Sequence, residues 1–475
     1  MRLKCLSVKP SGLVGTLADF ASSAWRDRVP ASVLDDAALR LLDVTGLCLC
    51  VNRSQDSRRL NAELEAWGEL GSSTVIGFGA ASAPAAALAN GIMSHAEDFD
   101  DTHTESLVHV SSGVVPAALA VAEERRTSGA DLLAAIAMGH ETSIRIGLGA
   151  QGQFHARGFH ATGITGPFGA TVAAGLLMGL PAQQIANALS IAASMSAGLL
   201  EFLADGSTVK RVHPGWAAHS GILAARLARA GLTGPASALE GRYGLYRTHV
   251  EDAFVPDVVV SDLGCKWHAL DTSFKPYPCC NFLHAPIDAI ARLQLEHGFA
   301  ADDVESLICE LPAGAIPVVA EPEEVRRHPR SGYDAKFSVY FALAAQLVEG
   351  RVGLATFEPT RLEDAEICRL MPRIACRADP DSDRYPASFG GKVALQLRNG
   401  TRLARHEPYN RGGPFSPMTQ ADVIGKFEDN ARLALDVESA GQLSKRMLGI
   451  GNVDDVREVS SSLRAARPVL EAPTR

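Results

Sequence analysis

Apolar residues fill the first part of the chain in long runs with helical spacing, broken by Gly, Pro and short polar clusters. Ala38–Cys50 is apolar nearly all round, as a helix buried on every side should be. Further helices are predicted over Pro116–Glu124, Asp131–Ile146, Gly166–Met178, Pro181–Leu203 and Trp216–Ala230; the fourth opens on proline and the last stops at Gly231. Ala, Gly and Ser crowd these runs, which lets helix axes approach closely. The period changes after about Leu270. Val304–Leu311 reads as a strand, Phe337–Leu347 as a helix, and the alternating residues around Asn399-Gly400 as a hairpin from Val393 to Arg405. Met418–Ala440 is helical again. This pattern predicts a mainly α protein, with a large all-helical domain over 10–270 and a smaller α+β domain over 271–407. The last residues, 461–475, read as a loose, flexible tail.

Composition narrows the function. The chain has 475 residues, 47% hydrophobic and 21% charged, enough for more than one core. A net charge of −9 argues against a nucleic-acid or anionic-membrane partner. An acidic substrate would then need a local basic patch, and Lys210-Arg211 is the obvious candidate. No uncharged apolar run reaches the length of a membrane span, and the start lacks the apolar core of a signal peptide. A cytoplasmic protein is therefore expected. Nine irregularly spaced cysteines without a Cys-x-x-Cys pair read as reduced thiols, not as a disulfide framework, zinc site or iron–sulfur cluster.

Chemistry concentrates in four segments. Asn90–His103 packs Glu97, Asp98, Asp100 and Asp101 between His95 and His103, and His109 follows. Groups that compete for protons are costly to bury, so such density points to chemistry, a metal or a solvated loop. A magnesium–diphosphate site would want a second carboxylate cluster, and none is evident in the helical half. The other reading puts Asp98 and Thr102, one turn apart if helical, on a pocket wall near His109. His160 lies among Gly158, Gly163, Gly166 and Gly169, where a bare backbone allows close approach of a ligand. No Gly-Lys-Ser/Thr supports a phosphate loop there. Lys210-Arg211-Val-His213 concentrates positive charge before a helix, and Phe274-Lys275-Pro276 adds a lysine on a stiffened segment.

Together these segments resemble the MmgE/PrpD family. The matching signatures are His95-x-x-Asp98-Phe-Asp-Asp-Thr102, the Gly-Phe-His160, Lys210-Arg-x-His213-x-Gly215 and Phe274-Lys275-Pro-Tyr-Pro-Cys-Cys280, in the family's order. The resemblance runs from about Leu17 to the Phe427 region. It implies that 408–460 rejoins the helical domain, that the α+β domain is a lid, and that the protein is a homodimer. It also implies a lyase working without metal or cofactor on a di- or tricarboxylic acid, by proton abstraction next to a carboxylate. His160 and His109 match active-site histidines; Asp98, Thr102, Lys210, Lys275 and Tyr340 match pocket residues. Arg211 and His213 would hold carboxylates beside Lys210. Cys280 stands where the animal cis-aconitate decarboxylase pattern has histidine, and Pro-Cys-Cys resembles other branches, including an iminodisuccinate epimerase. A thiol can donate a proton, and His284 could partner it if that segment is helical. Dehydration of a 2-methylcitrate-like acid is the favoured outcome, followed by epimerisation and decarboxylation of an aconitate. A silent carboxylate-binding protein is the non-enzymatic alternative. His103 and His155 are read as structural or surface residues.

Overall fold

The computed structural model describes residues 12–23, 25–52, 54–67, 70–379 and 389–465. Its centre is the helix Ala161–Leu177, in which every residue is buried, as an all-round apolar sequence requires. Around it lie Ser111–Arg125, Gly129–Gly149, Ala182–Ala193 and Val212–Arg229, and Ala83–His95 packs on the first and last of these. Small residues set the spacing: a Cβ on Gly91 would fall 2.6 Å from the Cα of Gly215, so these helices cross nearly backbone to backbone.

The α+β part carries one four-stranded sheet, in the order Ile374–Ala378, Val304–Leu311, Gly391–Leu397, Arg402–Glu407. The first pair is parallel and the other two antiparallel. The expected hairpin is there, turning at Asn399-Gly400, where Gly400 has φ +85°. Helices His284–His297 and Val339–Glu349 pack on the sheet. Beyond the hairpin, Gln420–Ala431 returns to the helical part, where Lys426 Nζ lies 2.9 Å from Asp43 Oδ1 on Ala31–Val51. No described helix is long and apolar enough to cross a membrane.

Four expectations change. Pro181–Leu203 is not one helix: Ala182–Ala193 ends, the chain turns through Gly198, and a short 3₁₀ turn forms at Leu200–Leu203. Met418–Ala440 is two helices, the second starting at Val437 with Asp436 capping Ser439 N. Residues 461–465 are not a loose tail, since Leu463 is buried and Arg464 Nε donates to Thr74 Oγ1 at 2.9 Å; 466–475 lie outside the described residues. Cys265 is disulfide-bonded, whereas Cys48, Cys50, Cys279, Cys280, Cys309, Cys368 and Cys376 are free.

Candidate active site

Helix Ala83–His95 ends where the acidic loop begins, and the loop is not helical. Asp98 adopts φ +52°, a left-handed conformation that Asp tolerates better than most side chains. This turn, not one helical turn, sets Asp98 against Thr102, which sits on the short strand Thr102–His103 paired with Thr272–Ser273. Each acidic group has a partner, for all but Asp100 from a distant part of the chain. Lys336 pairs with Glu97, and Lys210 and Lys275 with Asp98; Lys275 Nζ is 3.0 Å from Oδ2 and 2.8 Å from the Asp98 carbonyl. Asp100 lies 2.7 Å from His95 Nδ1, and Asp101 3.3 Å from Arg40. Lys426 donates to the carbonyl of Phe99. Burial alone would raise the Asp98 carboxyl, but the two ammonium groups outweigh it and hold it well below the usual range.

Of these side chains, Asp98, Thr102, Lys210 and Lys275 border a cavity of about 640 Å³. It brings together Asp98, Thr102, His109, His160, Lys210, Lys275 and Cys280, with residues from the helical and the α+β parts on facing walls. His109 Nδ1 lies 2.8 Å from the Asp101 carbonyl and 3.0 Å from Thr102 Oγ1. A carbonyl can only accept, so Nδ1 carries the proton and Nε2 is the proton-accepting atom of the neutral ring. Burial lowers the His109 pKa to about 3, and burial beside Lys210 puts His160 well below the usual histidine range. Both imidazoles are neutral near pH 7. The Cys280 thiol is pushed up to about 11, mainly by burial, so it lines the wall as a neutral thiol.

Four expected ligands lie elsewhere. Arg211 follows Lys210 on a 3₁₀ turn but points away, 3.0 Å from Asp56 and over the ring of Tyr333. His213 sits behind His160, Nδ1 to Nδ1 at 2.9 Å, and does not line the cavity. His284 turns its Nε2 to the Cys279 carbonyl at 3.1 Å, because a 3₁₀ turn over Asn281–Leu283 separates it from Cys280. Tyr340 is a core residue of the α+β part, its ring 3.9 Å from the Arg327 guanidinium. One lining histidine was missed. His155, read as structural, borders the cavity and stacks on His160 at 5.9 Å; its position in the same Gly-rich bend was the available signal. We expect Arg211→Ala to leave kcat/KM within about twofold of the parent, since a half-exposed pair with Asp56 is worth only ~0.2–1 kcal/mol. A large loss in steady-state kinetics would return Arg211 to the site.

Ring nitrogens of His95, His109 and His160 lie within 4.8 Å of one another, close enough to hold a metal ion. The two ammonium groups on Asp98 stand beside them, placing positive charge where a cation would enter. The arrangement suits an anion better.

Comparison with known proteins fits this geometry. The MmgE/PrpD N-terminal domain matches residues 15–256 and the C-terminal domain matches 277–448. The chain belongs to the MmgE/PrpD family. It is 27% identical to a cis-aconitate decarboxylase of Aspergillus terreus, over 94% of each chain. It is 26% identical to the cis-aconitate decarboxylase of Homo sapiens, over 81% of this chain and 80% of the human one. The Mus musculus cis-aconitate decarboxylase is 26% identical over 79% of this chain and 80% of its own. The C-terminal match begins two residues past Lys275, so this MmgE/PrpD member draws its second lysine from the segment between the two matched domains.

Proposed function

We propose that the chain is a lyase acting on an unsaturated carboxylic acid with more than one carboxylate, and that it decarboxylates an aconitate-like substrate. The observation that carries this reading is Lys210 and Lys275 converging on Asp98 beside two cavity-lining imidazoles. The relatives named above favour decarboxylation over the dehydration preferred from sequence alone. The lysines bind the retained carboxylates. The bond to the departing carboxylate breaks, its electron pair forms a new C=C, and the former alkene carbon takes one proton, so acid plus proton gives product plus CO₂. His160 or His109 delivers that proton, taking it up as the anionic substrate arrives and favours the imidazolium. Preorganised ammonium groups in a water-poor cavity stabilise charge in the transition state. We propose that the protein acts as a cytoplasmic homodimer, with 271–407 forming a lid on the helical domain (10–270, completed by 408–460).

Dehydration of a 2-methylcitrate-like acid is the second reading, favoured by one observation: the imidazoles of the free enzyme are already in the form a base needs. The pH profile separates the two. Free His109 titrates near 3, so a decarboxylase needing imidazolium should gain about tenfold in kcat/KM per unit as pH falls from 8 to 6.5. A dehydratase using neutral histidine should be flat there. Proton NMR in D₂O with cis-aconitate and 2-methylcitrate tests the reading itself: a new terminal methylene with one deuterium in the adjacent CH₂ supports decarboxylation. No change with any of these acids, using folded protein, defeats it.

A further inference from the structure

We propose that the protein has a divalent-metal site outside the catalytic cavity, in which His103, His268 and Asp271 bind one ion of the zinc type. Local structure brings the three together. His103 lies on the strand Thr102–His103 and pairs with Thr272. His268 and Asp271 open and close the 3₁₀ turn that runs directly into the partner strand, and on such a turn side chains three apart stack over one another. One ligand atom from each of the three residues lies within 4.8 Å of the other two. His268 Nδ1 is 3.9 Å from Asp271 Oδ2, and the imidazoles of His103 and His268 meet edge to face at 6.2 Å. Bonds of ~2.0–2.2 Å to zinc put tetrahedral ligand atoms about 3.5 Å apart, so small side-chain rotations close the set.

The ring nitrogens are free for such an ion. His268 Nδ1 is buried and has no hydrogen-bond partner among the described residues, an unmet demand that a metal would answer. On His103, Ser106 Oγ and Ser106 N lie 2.9 Å and 3.2 Å from Nδ1, which leaves Nε2 to a cation. The ring proton then sits on Nδ1, where Ser106 Oγ accepts it, giving the outer hydrogen bond that orients a metal-bound imidazole. Burial lowers His103 to about 3 and His268 to about 4, so both rings are neutral at pH 7, the form that ligates. His103 and Asp271 line a pocket of about 360 Å³ together with Glu105, which gives an ion a way in and room for a water as fourth ligand. Lys266 stands 3.8 Å from Asp271 Oδ2, but its side chain is 56% exposed and can swing into solvent, unlike the buried Lys210 and Lys275. Arg145, which donates to the Lys266 carbonyl, is neutralised by Glu141 at 2.6 Å. An ion at this place staples residues 103 and 268–271 across the ladder that also seats Thr102 on the catalytic cavity.

Calorimetric titration of Zn²⁺ into the chelator-treated full chain near neutral pH tests the proposal. One equivalent should bind, and Tm should rise with added Zn²⁺, because the ion binds the folded chain. His268→Ala and Asp271→Asn should each weaken binding by at least the ~10–100-fold that loss of a group supporting a metal site costs, and should abolish the rise in Tm. Asp271 is half-exposed, so its variant keeps the test open if His268→Ala does not fold. His160→Ala is the control for the cavity histidines and should leave binding unchanged. Co²⁺ in place of Zn²⁺ should give the visible absorption of a four-coordinate site in the parent and not in His268→Ala. No binding of Zn²⁺, binding unchanged by both substitutions in the proposed site, or binding lost with His160→Ala would overturn the proposal. The lyase reading stands or falls separately, since it concerns a different cavity and no residue of this metal set.

Discussion

His160→Ala should lower kcat by ~10²–10⁴, the range expected when a group that moves a proton in the transition state is removed. The ring is buried, borders the cavity, and is placed by its own backbone, since His160 N donates to the Gly198 carbonyl at 3.0 Å just before helix Ala161–Leu177 begins. His213 holds the ring from behind and reaches no ligand, so His213→Ala should cost less. Circular dichroism and melting curves would show that both variants fold. Near-full turnover by His160→Ala, with cis-aconitate or any acid the parent converts, would remove it from the mechanism and leave His109 as the candidate.

Asp98→Asn should destabilise the fold by ~3–5 kcal/mol at pH 7, because it strips the counter-charge from two buried ammonium groups. Asparagine keeps the size and tolerates the left-handed backbone, so the loss is electrostatic. The sign with pH follows. Lysines left unpaired in the folded variant have their pKa lowered, so the unfolded chain binds more protons and stability rises with pH. The deficit against the parent should shrink between pH 7 and 10, in urea unfolding followed at several pH values. A deficit independent of pH would show that Asp98 acts through shape and not through charge.

The sequence announced much of this site, and its failures have a physical pattern. Buried helices and the Asn399-Gly400 hairpin were legible because their signals are local. The residues that converge were legible because histidines, lysines and carboxylates inside apolar surroundings need a reason to be there. Side-chain direction was not. Lys210 and Arg211 are neighbours on a 3₁₀ turn, where successive side chains diverge by about a third of a turn, so one enters the cavity and the other meets Asp56. Tyr340 points into the α+β core for the same kind of reason. The break after Ala193 was hidden because apolar residues continue through it. That break is what brings Phe202 to the cavity wall, and it depends on a tertiary bond from His160 to Gly198.

The loop of residues 97–101 is held by groups that the ribosome makes much later. Lys275 follows Asp98 by 177 residues, and Lys426 follows Phe99 by 327. At ~5–20 residues per second, the second delay lasts on the order of tens of seconds. For part of that time Glu97 and Asp98 lack their lysines, whereas Arg40 and His95, the partners of Asp101 and Asp100, are made before the loop. The helical half can collapse early, but Asp98 gains its second lysine only from Lys275, and the Phe99 carbonyl its donor only from Lys426 on Gln420–Ala431.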